Sequence, residues 1–82
     1  MKRIIIEEFM TDQLKLNGNQ LILYAMMWKD SDGGQQPVKD DYRHYSEAMN
    51  VTLPTYYNTM KKLADRGLVK NMGDGNYTVM AA

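Results

Sequence analysis

Apolar side chains recur at helical spacing in three stretches of this chain and give way near its C-terminus to two short β-prone runs. The first helical stretch is Leu21-Ile22-Leu23-Tyr24-Ala25-Met26-Met27-Trp28, preceded by Asn17-Gly18-Asn19-Gln20. Asn17 can accept from the first free backbone amides and Gln20, three residues on, can reach back, so a helix is expected to begin near Asn17. Leu21, Ala25 and Trp28 share one face of it, whereas Ile22 and Met26 lie on another. A helix apolar on most sides has to be covered on most sides. The cover expected is an N-terminal segment, residues 1–12, acting through Ile4-Ile5-Ile6 and Phe9-Met10, with a homodimer contact through this helix or that segment as the alternative.

Turn formers in Ser31-Asp32-Gly33-Gly34-Gln35-Gln36-Pro37 end the first helix, and Val38 follows as a candidate for a very short strand. Asp40 or Asp41 then caps a second helix running to about Met49, with Tyr45, Ala48 and Met49 at helical spacing. Asn50 is its expected stop, because asparagine tolerates the left-handed backbone that a sharp exit requires. Thr52-Leu53-Pro54-Thr55 opens a third helix: a threonine cap, then proline in the first turn, where a missing amide costs little. Tyr56, Met60 and Leu63 should face the core, leaving Thr55, Tyr57, Asn58, Lys61 and Lys62 outward. The adjacent tyrosines diverge by about 100° on a helix, which allows one to be buried and the other exposed. Gly67 closes this helix with Leu68 as its apolar partner. Leu68–Met72 and Tyr77–Met80 flank Gly73-Asp74-Gly75-Asn76 and read as an antiparallel hairpin over 68–80, with the segment near Val38 available as a third strand. A lone hairpin is marginal in water, so this one must pack on the helices.

Eighty-two residues at 44% hydrophobic content suffice for one domain with one core, residues 1–82, without room for a separate catalytic domain. The absence of cysteine excludes a disulfide framework and a thiolate metal site, and His44, the single histidine, cannot hold a metal alone. Trp28 and the eight methionines read as core filler. The adjacent carboxylates Glu7-Glu8 and Asp40-Asp41 lack a partnered nucleophile or a phosphate-cradling glycine loop, so no enzymatic activity, cofactor or metal site is expected. The N-terminal apolar stretch is far shorter than a signal-peptide core and the first helical run is too short to cross a bilayer, which leads to the expectation of a cytoplasmic protein without membrane contact. Ten basic and ten acidic residues cancel overall, yet residues 1–41 carry five basic and seven acidic side chains (net −2) and residues 42–82 five and three (net +2).

Helix, sharp turn, helix and hairpin in this order resemble the winged helix-turn-helix superfamily. Leu16-Asn17-Gly18-Asn19-Gln20-Leu21 with Tyr24-Ala25, then Val51-Thr52 through Lys61-Lys62-Leu63 and Arg66-Gly67-Leu68-Val69, resemble small domains of phage- and plasmid-borne regulators and replication initiators. The resemblance covers roughly residues 9–80 and implies a mainly α fold: a three-helix bundle plus a β-hairpin wing, with the helix-turn-helix over 41–66. That motif asks for a small residue, a turn residue four later and a hydrophobic residue six after that. Ser46, Asn50 and Tyr56 meet the pattern in spacing and character rather than in identity.

The function that the resemblance implies is sequence-specific binding of double-stranded DNA in transcription or in mobile-element replication, as a dimer, with the third helix in the major groove. Thr55, Tyr57 and Asn58 would face bases: Asn58 can pair with adenine and the Thr55 methyl can touch a thymine methyl. Thr52 would cap the helix and reach a phosphate, while Lys61, Lys62 and Lys70 would hold phosphates. In the wing, Asn76 and Asn71 can hydrogen-bond the backbone, but Asp74 at the tip would repel it. Zero net charge, the acidic wing tip and the over-apolar first helix keep a second expectation open, a protein-interaction module without DNA binding.

Overall fold

Seven elements follow one another in the computed structural model, which describes residues 4–81: α1 (Glu8–Asp12), α2 (Gly18–Asp30), β1 (Val38–Lys39), α3 (Tyr42–Met49), α4 (Leu53–Asp65), β2 (Val69–Gly73) and β3 (Asn76–Val79). The architecture is mixed: four helices with a small antiparallel sheet in the order β1-β3-β2. Val38 pairs with Tyr77 and Lys39 with Asn76, so the short run after Pro37 does become a third strand, and β3 takes the centre of the sheet.

The three longer helices lie close to where the local signals set them. Asp41 caps α3 by accepting the His44 amide at 3.3 Å. Asn50 leaves it at φ +57°, and the amides of Asn50 and Val51 return to the Glu47 and Ser46 carbonyls. The end of α4 repeats the device: Gly67 at φ +75° and Leu68 return their amides to Ala64 and Leu63, which satisfies carbonyls the helix leaves free. Asp74 and Gly75, both at positive φ, make a two-residue hairpin turn whose twist matches that of the strands. The register slips between Asn71 and Gly73, leaving Met72 as an extra, exposed residue.

Two helix starts differ from expectation. Asn17 stands at the N-cap of α2 but its side chain makes no capping bond; Asn17, Gly18 and Asn19 are exposed, so water can serve the free amides. At α4 the Thr52 hydroxyl donates to the Thr55 hydroxyl at 3.2 Å instead of accepting a backbone amide.

One core joins all elements: Leu23, Tyr24 and Met27 of α2, Tyr45 of α3, Tyr56, Met60 and Leu63 of α4, and Val38, Val69, Tyr77 and Val79 of the sheet. The covering role given to the N-terminal segment divides. Phe9 packs edge-on against Trp28 (5.1 Å) and Met10 is fully buried, joined by Leu14 and Leu16 from the loop behind α1. Ile4, Ile5 and Ile6 stay largely on the surface, exposed by 39%, 52% and 47%, with Ile5 reaching only the rim of a shallow cleft beside Ala25 and Trp28, because the chain turns into α1 at Glu8 and Met10, Leu14 and Leu16 fill the space. Residues 1–3 of that segment lie outside the described residues. On α3, Ala48 is exposed rather than buried, and Ser46 points inward in its place, its hydroxyl donating to the Arg43 carbonyl at 3.3 Å. The inward stripe is therefore Tyr45-Ser46-Met49, and the small serine lets α3 approach its neighbour.

Among the described residues, no helix is long and apolar enough to cross a membrane.

Candidate nucleic-acid interface

Helix α4 divides cleanly into two faces. Tyr56, Thr59, Met60 and Leu63 are buried, while Tyr57, Asn58, Lys61 and Lys62 are exposed. The division follows from the period of the helix: positions 56, 59, 60 and 63 recur on one side, and the polar residues between them fall on the other. Thr59, the one polar residue on the inner face, is satisfied by donating to the Thr55 carbonyl one turn back at 2.8 Å.

Of the residues singled out in the sequence, Tyr57, Asn58, Lys61 and Lys62 form a continuous outward strip on α4, and Thr52 is exposed at its start. Thr55 departs from expectation: it is half-buried, its hydroxyl occupied by Thr52 and its carbonyl by Thr59. Lys70 is exposed on the edge strand β2, opposite Thr78. Asn76 is half-buried and turns its amide to the Asp74 carbonyl at 3.5 Å, and the Asn71 carboxamide accepts the Gly73 amide at 2.9 Å. Both asparagines thus serve the hairpin turn. The tip stays acidic through Asp74.

Asp40 and Tyr42 complete the strip, and neither was singled out for it. Asp40 does not cap α3, a role that falls to Asp41. Its amide instead ties β1 to the hairpin by donating to the Gly75 carbonyl (2.7 Å), and its carboxylate receives two phenols of α4. Tyr56 donates to Oδ1 at 2.7 Å and Tyr57 to Oδ2 at 3.5 Å. Tyr57 stands edge-on to Tyr56 (4.9 Å between centroids) and within 6.5 Å of Tyr42, which is exposed at the start of α3. Tyr45 and Tyr56 stack at 6.4 Å, so a row of phenols runs between α3 and α4. Burial, then the hydrogen bond it donates to Asp40, push the Tyr56 phenol upward; partial burial and the Asp40 charge do the same to Tyr57. Both remain proton donors at neutral pH.

Chemically the strip offers two ammonium groups for anions, one carboxamide able to donate and accept together, and two phenols with apolar faces. Asp40 sets a negative charge at its edge. Among the described residues, no three His, Asp or Glu side chains converge to hold a metal ion. Comparison with family models, with curated proteins and with solved structures yields no match.

Proposed function

We propose that this chain is a winged helix-turn-helix domain that binds double-stranded DNA, with α4 lying in the major groove and serving a regulator of transcription or of mobile-element replication. One observation carries the reading. The residues from Tyr57 to Lys62 that face away from the core are polar or basic and solvent-exposed along one side of a helix whose other side is locked by Tyr56, Met60 and Leu63. A helix held this way meets a groove without rearranging. The tight exit at Asn50 and the α3-α4 order agree with a helix-turn-helix.

Lys61, Lys62 and Lys70 supply phosphate contacts, Asn58 and Tyr57 the base edges, and Thr52 a phosphate at the helix start. Thr55 contributes through its methyl alone, its polar atoms being engaged, and Asn76 contributes little. One domain covers a half-site, so the working species on DNA is a dimer. Titration of duplex DNA at low and at higher salt, followed by backbone NMR, tests the proposal. Shifts confined to α4 and β2, with affinity falling steeply with salt, are expected; unmoved α4 signals at low salt refute it.

A second reading, a protein-interaction module, is favoured by Met72 and Leu53, exposed by 55% and 42%, and by the acidic turn beside Met72. Shifts that appear with a protein partner but never with DNA would select it.

A further inference from the structure

Asparagine followed by glycine occurs once in this chain, at Asn17-Gly18, where the loop behind α1 enters α2. Both residues are exposed, and the Asn17 carboxamide makes no capping bond, so it is free to turn. Among the described residues nothing accepts the Gly18 amide, which belongs to the first turn and lacks an intrahelical partner. One hydrogen bond holds the peptide bond between Asn17 and Gly18 in place, from the Leu21 amide to the Asn17 carbonyl at 3.2 Å. Space does not restrain it, since even a Cβ added at Gly18 would have no atom within 4 Å. A glycine, here at φ +56°, also passes through backbone angles that other residues resist.

Such a junction suits attack by a backbone amide on the side chain before it. We propose that Asn17 is a site of spontaneous deamidation, with water as the only co-reactant. The Gly18 nitrogen bonds to Asn17 Cγ, its proton passing through water to the side-chain nitrogen, which leaves as ammonia; a five-membered succinimide remains. Hydrolysis of that ring at Cγ gives aspartate, and hydrolysis at the backbone carbonyl gives isoaspartate, whose main chain runs through Cβ. One water is consumed and one ammonia released, with no change of oxidation state. The other asparagines lack this combination. Asn71 and Asn76 are tied into the hairpin by their side chains, and the Val51 amide after Asn50 is held by the Ser46 carbonyl. Asn58 lies inside α4, and Asn19 is followed by the bulkier Gln20. Either product lowers the formal net charge from 0 by one unit, at a helix N-terminus whose dipole favours an anion. Isoaspartate also inserts one main-chain carbon between buried Leu16 and α2, which loosens that junction. The inference stands independently of DNA binding.

Incubation of the full chain for weeks at mildly alkaline pH, then digestion under acidic conditions and peptide mapping by mass spectrometry, tests the assignment. The peptide carrying Asn17 should split into two new species, each heavier by about 1 Da, one of them co-eluting with the same peptide from Asn17→Asp. No gain in mass at Asn17 over that period overturns the proposal, and so does a gain at another asparagine as fast as the one at Asn17. Gly18→Ala, whose Cβ faces open space, should remain folded by circular dichroism and convert severalfold more slowly. Asn17→Gln keeps a carboxamide but would have to close a six-membered ring, so its conversion should be lost on the same timescale. An acidic form that accumulates in Asn17→Gln at the parent rate arises elsewhere and refutes the assignment.

Discussion

The phenol of Tyr56 donates to the Asp40 carboxylate at 2.7 Å, across sixteen residues of sequence, and so joins the inner face of α4 to the end of β1. The same carboxylate lies beside Tyr57 on the outer face. A second pair repeats the chemistry: Tyr45 of α3 donates to Asp30 Oδ2 at 2.6 Å at the end of α2. Each phenol has its ring in the core and its oxygen on a charged acceptor, a hydrogen bond stronger than a neutral one.

Removing either hydroxyl should therefore cost stability without emptying the core. Tyr56→Phe and Tyr45→Phe are each expected to lose about 1.5–3 kcal/mol, since a hydrogen bond to a charged group is deleted while the ring remains. For a domain of this size that is a fall in Tm of roughly 6–24 °C. Thermal denaturation measures it, and unchanged Tm values would show that water replaces the phenols at no cost.

Alkaline pH should unfold the protein through its tyrosines. Burial, with the Glu7 charge adding to it, raises Tyr24 to about 12, and its phenol donates to the Met80 carbonyl at 2.7 Å. Burial also raises Tyr45, Tyr56 and Tyr77. These phenols hold their protons in the folded chain where the unfolded chain, with values near 10, gives them up. Their contribution is fully present below pH about 10, declines above it, and is lost once pH passes the raised folded values. Phenolate absorbance followed together with circular dichroism checks this: the buried tyrosines should ionise with unfolding, as one transition.

Gly34 is the glycine whose replacement should hurt most. It has φ +86°, and a Cβ added there would lie 2.7 Å from the Val79 carbonyl oxygen of β3. The neighbouring turn is already fixed by the buried Ser31 hydroxyl, which donates to the Trp28 carbonyl and accepts the Gly34 amide, both at 2.9 Å. Gly34→Ala is expected to cost about 2 kcal/mol or more, whereas Gly18→Ala, at φ +56° but facing open space, should cost about 1 kcal/mol. Urea denaturation of the two variants separates the clash from the backbone strain they share.

On the proposed DNA reading, the lysines and the asparagine of α4 should behave differently. Lys61→Ala or Lys62→Ala should weaken binding to all sequences alike and lower the salt slope by about 1 each. Asn58→Ala should cost about 1–3 kcal/mol on the preferred site and little elsewhere. Titrations on specific and random duplexes at several salt concentrations would distinguish the two, and identical behaviour would remove Asn58 from the reading surface.

On the same proposed DNA reading, Asp40→Asn tests the charge at the edge of that strip. The carboxamide still accepts from Tyr56, so the helices should persist with a modest loss of stability, while the anion that faces incoming phosphate disappears. DNA affinity should rise severalfold at low salt and converge with the parent at high salt. A loss of affinity in a variant that remains folded would instead make Asp40 a positive contributor to binding.

What the sequence determined by itself was the order of the elements from α2 to β3 and the two faces of α4; the short helix α1 was not among the expected elements. Helix ends at Asn50 and Gly67, the Asp74-Gly75 turn and the burial of Tyr56, Met60 and Leu63 all depend on groups within a turn or two of each other, where spacing alone dictates who meets whom. The outward strip from Tyr57 to Lys62 was legible for the same reason. Tertiary structure decided what the polar ends of buried side chains do and which apolar residues find cover. Asp40 and Asp41 are chemically identical neighbours, yet one caps a helix and the other receives phenols from α4. Tyr24 ends on the carbonyl of Met80, and Ile4, Ile5 and Ile6 are left outside while Met10 is taken in. Burial is a competition for limited volume among segments distant in the chain, and local pattern cannot tell which of two equally apolar stretches will occupy it.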